Sequence, residues 1–146
     1  MPGENLTKVE AQERAALIDT ASYDVRLDLT TSDTTFRSTT TVVFDAKAGS
    51  STFIDAITEK VHRVILNGID LDADKVADGV RIALDGLAEN NTLVIEADMS
   101  YTNTGEGLHR FVDPVDNKAY LYSQFEVPDS RRVFAVFEQP DLKATF

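Results

Sequence analysis

A regular alternation of apolar and polar residues constrains the fold of this chain more than any other feature. Apolar residues take every second position in one run, at Tyr23, Val25, Leu27 and Leu29. The same alternation returns in a β-branched stretch from Phe36 to Phe44. Successive side chains of a strand point to opposite faces, so a period of two predicts strands with one buried face. β-branched residues favour the same structure.

Shorter apolar runs separated by turn residues continue this pattern. We predict further strands near 51–57, 61–66, 80–84 and 92–101. Asn67-Gly68 and Asp78-Gly79 are dipeptides typical of tight hairpins, because both central residues of a type I′ turn need a positive φ. Frequent turns between short strands predict an all-β fold, an antiparallel β-sandwich or concave sheet.

The first segment of the chain follows a helical pattern instead. Thr7 and Glu10 have the spacing of a capping box, and Ala-rich and Glu-rich sequence without Gly or Pro follows them. We therefore predict a short helix over 7–18. Its apolar stripe, which includes Val9 and Leu17, is weak. The resulting domain prediction is a helical arm over 1–20 and a β domain over 21–146.

Composition excludes several classes of function. The 146 residues fit one domain, and none of them is cysteine, which excludes disulfides, thiolate zinc sites and a cysteine nucleophile. A net charge of −11 disfavours nucleic acid as a partner. No apolar run approaches the ~18 residues of a membrane span, and residues 1–5 lack the features of a signal peptide. We expect a cytoplasmic protein without nucleic-acid or membrane partners.

For most of the candidate metal-binding and phosphate-binding residues, the sequence favours a surface or structural role. His62 and His109 are far apart in sequence and belong to no zinc-binding pair. Asp70, Asp72 and Asp74 imitate the start of a calcium loop, but the glycine and the final glutamate of such a loop are missing. Arg131-Arg132 could bind phosphate, although Asp129 and Glu138 are close enough in sequence to pair with them. We expect this fragment to hold no metal or cofactor.

The segment 120–126, Y-L-Y-S-Q-F-E, is the most informative one. In a strand, Tyr122, Gln124 and Glu126 share one face. An aromatic ring, an amide and a carboxylate on one face could line a ligand site. The alternative interpretation is the polar face of a half-buried strand.

The end of the chain suggests an incomplete domain. Pro128 and Asp129 could start a short helix that extends to Phe134, and 142–146 has the pattern of a new strand that stops without a partner. We therefore expect the chain to be a fragment that exposes an apolar patch and an open strand edge. The residues expected in that patch are Phe125, Phe134, Phe137 and Phe146.

Two adjacent stretches resemble a known family. Q-F-E-V-P-D-S-R-R-V-F at 124–134 and F-E-Q-P-D-L-K-A-T-F at 137–146 are similar to the Q-F-E-x-x-D-A-R-R-x-F-P-x-F-D-E-P-x-x-K-A-x-F pattern of zinc aminopeptidases of the aminopeptidase N family. The loop at 101–111 also looks like bacterial-type members. Ser130 replaces the usual Ala, Ala135 a common Pro, and Glu138-Gln139 replaces Asp-Glu. Gln124 and Glu126 match the pattern.

The resemblance implies a saddle-shaped β domain that covers one side of a zinc-dependent catalytic domain. It implies that Glu126 binds the free α-ammonium of a peptide substrate and that Gln124 helps to line the pocket for the first side chain. It also implies that the zinc ligands and catalytic residues lie downstream, so this fragment alone would be inactive. The expected partners are peptide N-termini and the missing catalytic domain.

Two other functions are compatible with the same sequence. The chain could be a stand-alone β-sandwich that binds a ligand or mediates adhesion, although the absence of tryptophan disfavours carbohydrate binding. It could also be a purely structural module. That alternative predicts that Glu126 is buried and paired with a residue of the chain itself.

Overall fold

The computed structural model describes residues 5–146. Two short α-helices and nine strands follow one another along this part of the chain, and a 3₁₀ turn precedes the C-terminal segment. In chain order they are α1 (Lys8–Leu17), β1 (Ile18–Asp28), β2 (Thr35–Ala46), β3 (Thr52–Asp55), β4 (Lys60–Leu66), β5 (Ile69–Leu71), α2 (Ala73–Val76), β6 (Arg81–Leu84), β7 (Asn90–Ser100), β8 (Gly107–Val112), β9 (Ala119–Gln124) and the 3₁₀ helix Ser130–Arg132.

The strands form antiparallel sheets. The largest has five strands in the order β1-β2-β7-β4-β5, and β3-β6 and β8-β9 form two-stranded ribbons. The prediction of an all-β fold with a short N-terminal helix is therefore confirmed. Strand β1 begins directly after α1, and residues 1–4 of the predicted arm lie outside the described residues.

The core lies on one face of the five-stranded sheet. Along β2, every second residue from Phe36 to Phe44 is buried, and β7 alternates in the same way from Asn91 to Met99. The pairing of Phe36 with Met99 and of Val42 with Leu93 brings apolar residues of the two strands together on the same face. A register slip of one residue would expose this whole set, so burial specifies the pairing.

The predicted turn at Asn67-Gly68 is present. It joins β4 to β5, where Leu66 pairs with Ile69, and both turn residues have positive φ, 51° and 80°. These angles are those that a type I′ hairpin requires.

Helix α1 is attached to the domain by charge. Thr7 and Glu10 form the predicted capping box, but Val9 of the predicted apolar stripe is exposed. The buried residue of the helix is Arg14, whose side chain is 1% exposed and lies 2.8 Å from the Asp55 carboxylate. The Arg14 guanidinium also lies over the ring of Phe53, 4.7 Å from its centroid. A helix with a weak apolar face is therefore held by a buried ion pair.

A second ion pair joins α1 to β6 and makes stability depend on pH. Glu10 accepts from Arg81 at 2.6 Å, and the Arg81 hydrogen bond, assisted by that from the backbone of Thr7, lowers the pKa of Glu10 from 4.5 to about 2. A lowered carboxyl pKa adds stability that is complete above about pH 4.5 and is lost as the pH falls toward 2. We expect Glu10→Gln to remove about 1–3 kcal/mol of this stability at neutral pH.

Urea unfolding of wild type and Glu10→Gln between pH 2 and pH 7 measures the contribution of the Glu10–Arg81 pair to the free energy of unfolding. The difference in unfolding free energy between wild type and Glu10→Gln should shrink toward pH 2. A difference that stays constant over this range would contradict the assignment.

The C-terminal segment and the β8-β9 ribbon differ from the sequence predictions, since the strand expected to reach Glu126 ends at Gln124. Residues 142–146 form no strand of a sheet; Thr145 makes a single parallel bridge to Ser22, and its carbonyl accepts the Tyr23 N–H at 2.8 Å. Strand β8 was not predicted and forms the ribbon with β9. No helix within residues 5–146 has the length and apolar character that crossing a membrane demands.

Candidate functional site

The candidate site lies at the end of the β8-β9 ribbon. Gly107 pairs with Gln124 and His109 with Tyr122, so the odd-numbered residues of β8 and the even-numbered residues of β9 share one face. Every residue of β9 is exposed. The ribbon thus presents the face that carries Tyr122 and Gln124 to its surroundings.

Glu126 and Gln124 are neighbours at this end of the ribbon. The Gln124 side-chain nitrogen lies 3.4 Å from the Glu126 carboxylate, and both residues are exposed. Within residues 5–146, Glu126 has no cationic partner within 4 Å. The purely structural alternative predicted a buried and internally paired Glu126, and the carboxylate has neither property.

Hydrogen bonds order the chain that follows Glu126. The backbone carbonyl of Glu126 accepts the Asp129 N–H at 2.7 Å, and the Pro128 carbonyl accepts from Arg131 Nε at 3.0 Å. Arg131 is buried, and its backbone N–H donates to the Glu138 carboxylate at 2.8 Å. These contacts fix the backbone from which the Glu126 side chain projects.

Gly107 brings the ribbon into close contact with the 3₁₀ helix. A Cβ atom at this position would lie only 2.9 Å from the Cβ of Arg132, and the residue has a φ of +63°. Arg132 is itself held by Asp129 at 3.2 Å and by Glu106 at 3.6 Å. Because Gly107 is the strand partner of Gln124, this contact sets the position of Gln124 relative to the turn after Glu126.

We expect Gly107→Ala to destabilise the chain by about 1–3 kcal/mol, since it adds both left-handed strain and a steric clash. Gly86→Ala is the matched control, because Gly86 has a φ of +62° but no atom within 4 Å of the position that a Cβ would take. Unfolding free energies of the two variants separate the clash from the strain. Equal losses would show that the contact with Arg132 contributes nothing.

An aromatic pair lies beside Gln124. The rings of His109 and Tyr122 stack with their centroids 4.6 Å apart and an angle of 18° between their planes. The Gly105 N–H donates to Nδ1 of His109 at 3.0 Å, which fixes the ring orientation and leaves Nε2 as the protonated nitrogen of the neutral imidazole. The sequence predicts only a surface or structural role for His109, because strand β8, which brings it to Tyr122, has no recognisable strand pattern.

The exposed apolar patch differs in part from its prediction. Phe125 is exposed, and Phe146 is 76% exposed and stacks on Tyr23, but Phe134 and Phe137 belong to the core. Phe134 lies edge-on to both exposed rings, at centroid distances of 5.8 Å. The patch therefore consists of Phe125, Phe146 and the exposed Val127.

The remaining sequence candidates have partners elsewhere in the domain. His62 Nε2 lies 2.7 Å from Asp98. Asp72 caps α2 and pairs with Lys75, whereas Asp70 pairs with Arg63. Within residues 5–146, no three His, Asp or Glu side chains form a cluster that could hold a metal ion.

The Glu126 carboxylate and the Gln124 amide at the end of the ribbon are suited to bind a cation. An ionised carboxylate and an amide oxygen both accept hydrogen bonds, and an ammonium group has only donors to offer. A carboxylate without an internal cation is free to pair with one supplied by a ligand.

Comparison with known proteins relates this domain to a family of peptidases. The family model described as the peptidase M1 N-terminal domain matches residues 19–146. Aminopeptidase N of Streptomyces lividans is 60% identical over the whole chain, which spans only 18% of the length of that relative.

Solved structures agree in fold at low sequence identity. Native yeast LTA4 hydrolase superposes with a TM-score of 0.72 at 18% identity, over 89% of this chain and 22% of its own. Aminopeptidase A of Legionella pneumophila, solved in complex with aspartic acid, superposes with a TM-score of 0.70 at 14% identity, over 88% of this chain and 15% of its own. The family match runs from the second residue of β1 to residue 146, which is most of the chain, and on that ground the chain belongs to the peptidase M1 N-terminal domain family.

Proposed function

We propose that this chain is the substrate-anchoring domain of a longer zinc-dependent aminopeptidase that removes N-terminal amino acids from peptides. In this proposal, Glu126 pairs with the α-ammonium group of the substrate, and Gln124 lines the pocket for the first side chain. The observation that carries the proposal is the exposed Glu126 carboxylate, adjacent to Gln124 and without a cationic partner among residues 5–146.

An exposed carboxylate without a cationic partner is suited to the task of an aminopeptidase, which has to recognise a charged chain end. An enzyme that removes terminal residues must distinguish a chain end from the interior of a peptide. A free α-amino group has a pKa of about 7.7–8.0 and is mostly charged at neutral pH, whereas an internal amide carries no charge. A carboxylate that stays unpaired when an internal peptide enters the cleft penalises that peptide by its desolvation.

The proposal assigns the zinc and the catalytic residues to the rest of the longer protein. The chain covers 18% of the length of the aminopeptidase N relative, which leaves ample sequence for a catalytic domain. We propose that this catalytic domain is the direct partner of the chain and that it covers the patch formed by Phe125, Val127 and Phe146. We also propose a cytoplasmic location, supported by the absence of cysteine.

The proposal is tested by comparing substrates with free and blocked N-termini. The full-length protein should hydrolyse a peptide with a free α-amino group and leave its N-acetylated counterpart almost untouched. The isolated chain of 146 residues should hydrolyse neither peptide and should hold no stoichiometric zinc. Comparable hydrolysis of both peptides by the full-length protein, or hydrolysis by the isolated chain, would contradict the proposal.

A further inference from the structure

We propose that the stacked pair His109–Tyr122 is a specificity platform on which planar side chains of the first substrate residue, arginine above all and aromatic residues next, pack against the open face of the Tyr122 ring. This inference rests on the proposed function, since it extends the same site along the same face. Neither the sequence pattern that identifies the family nor the proposed roles of Gln124 and Glu126 include these two residues.

The position of the platform follows from strand geometry. Tyr122 precedes Gln124 by two residues on β9 and shares its face. At a rise of about 3.3 Å per residue, the two positions are roughly 7 Å apart along the strand. A substrate whose α-ammonium group is held at Glu126 and whose first side chain passes Gln124 would direct the far end of a long side chain toward Tyr122.

The ring of Tyr122 is supported on one face by His109 and is open on the other. One ring face stacks on His109, yet Tyr122 is still 53% exposed, so its accessible surface lies on the opposite face and edge. The loop before β8 closes over the end of the ring, because a Cβ atom at Gly105 would lie 3.4 Å from the Tyr122 hydroxyl oxygen. The same loop anchors His109 through the Gly105 N–H.

The chemistry of this surface favours planar and cationic groups. Aromatic faces attract a guanidinium group electrostatically, and its planar shape allows it to stack. Arg132, which lies next to Gly107 of the ribbon, is paired with Asp129 and Glu106, while the Glu126 carboxylate has no cationic partner within the described residues. The net charge of −11 adds a general attraction for cationic side chains.

The test compares substrate preference in the full-length protein. Values of kcat/KM for arginyl, phenylalanyl, leucyl and alanyl chromogenic amides are measured for wild type, Tyr122→Leu and His109→Ala. Tyr122→Leu keeps an apolar side chain but removes the aromatic face. We expect it to lower the Arg-to-Ala and Phe-to-Ala ratios roughly three- to tenfold, with a smaller change in the Leu-to-Ala ratio. His109→Ala should lower the same ratios less, because it removes only the support of the ring.

Tyr120→Leu is the matched control. Tyr120 lies on the same face of β9 as Tyr122 but two residues farther from Gln124, and its hydroxyl donates to Asp116 at 2.6 Å. The Tyr120→Leu variant should leave all of the substrate ratios unchanged. An Arg-to-Ala ratio that does not move in Tyr122→Leu, or that falls equally in Tyr120→Leu, would overturn the platform.

A further variant separates this inference from the function on which it rests. Glu126→Gln should lower kcat/KM for all four amides together and leave their ratios intact. If Glu126→Gln does not lower kcat/KM, the anchoring role is wrong. If Glu126→Gln lowers kcat/KM but Tyr122→Leu leaves the substrate ratios constant, the platform is wrong and the anchoring role stands. Melting temperatures within a few degrees of wild type are expected for Tyr122→Leu, since the side chain is exposed.

Discussion

In the full-length protein, Glu126→Ala should lower kcat/KM for peptide hydrolysis by about 10²–10³-fold or more while leaving the zinc content unchanged. Removing one partner of a charge pair in a water-poor cleft costs roughly 3–5 kcal/mol. At 1.36 kcal/mol per decade of rate, that cost corresponds to the stated loss. Glu126 is exposed in the chain described above, so an effect of this size requires that the rest of the protein covers the site.

Two companion variants show that charge is the cause. Glu126→Gln keeps the shape of the side chain and removes its charge, and it should lose nearly as much activity as Glu126→Ala. Gln124→Ala should have a milder effect that depends on the first residue of the substrate. A Glu126→Ala enzyme that retains more than about a tenth of the wild-type kcat/KM would show that the anchoring role is wrong, since even 1.4 kcal/mol removes a factor of ten.

Melting temperatures distinguish anchoring from a structural role. If Glu126 merely holds the ribbon in place, stability and activity should fall together. The exposed carboxylate, whose only short side-chain contact within the described residues is the 3.4 Å approach of Gln124, predicts that stability stays nearly constant.

Asp55→Asn should reduce the stability of the chain itself by about 3–5 kcal/mol. Asp55 is buried and pairs with the equally buried Arg14 at 2.8 Å, so the variant leaves an uncompensated guanidinium charge in the interior. The same Asp55 oxygen accepts the backbone N–H of Glu138 at 3.0 Å. The variant therefore weakens the link between α1, β3 and the segment after the 3₁₀ helix together.

An exposed ion pair provides the control for this variant. Asp24 and Arg26 lie 3.1 Å apart, but their side chains are 59% and 80% exposed. Asp24→Asn should change stability little, because solvent screens the pair. Urea titration of both variants gives the comparison, and a loss below about 1 kcal/mol for Asp55→Asn would contradict a stabilising role for the buried pair.

The strands were predictable because their chemistry repeats along the sequence. The alternation in β2 and β7 appears directly as buried and exposed residues, and Asn67-Gly68 forms the hairpin that its composition indicates. In β1 the alternation holds only in part, because Tyr23 is buried but Leu27 and Leu29 of the same predicted face are exposed. Strand β8 was missed because it begins at a glycine and buries only its first two residues, so it shows no buried alternation. Strand β8 forms because it pairs with β9, and its own residue pattern does not predict it.

The buried charges could not be predicted from sequence. Arg14 and Asp55 are 41 residues apart, and nothing in their local sequence distinguishes them from the exposed charges around them. The same reason explains the missed stack of His109 on Tyr122, which depends on the register of β8 with β9. Gln124 and Glu126 could be predicted because they are two residues apart in the sequence and match a family pattern, although β9 ends at Gln124 and Glu126 lies just beyond the strand. Their exposure and the absence of an internal cation near Glu126 required the structure.

The most direct test of the anchoring role couples Glu126 to the α-amino group itself. The measurement is the inhibition constant of a peptide analogue and of its deamino counterpart, which lacks only the α-amino group, against full-length wild type and Glu126→Gln. We predict that wild type prefers the amino compound by about a hundredfold or more and that Glu126→Gln reduces this preference to less than about tenfold, as a direct charge pair requires. An equal preference in the two proteins would contradict the pairing of Glu126 with the substrate ammonium group.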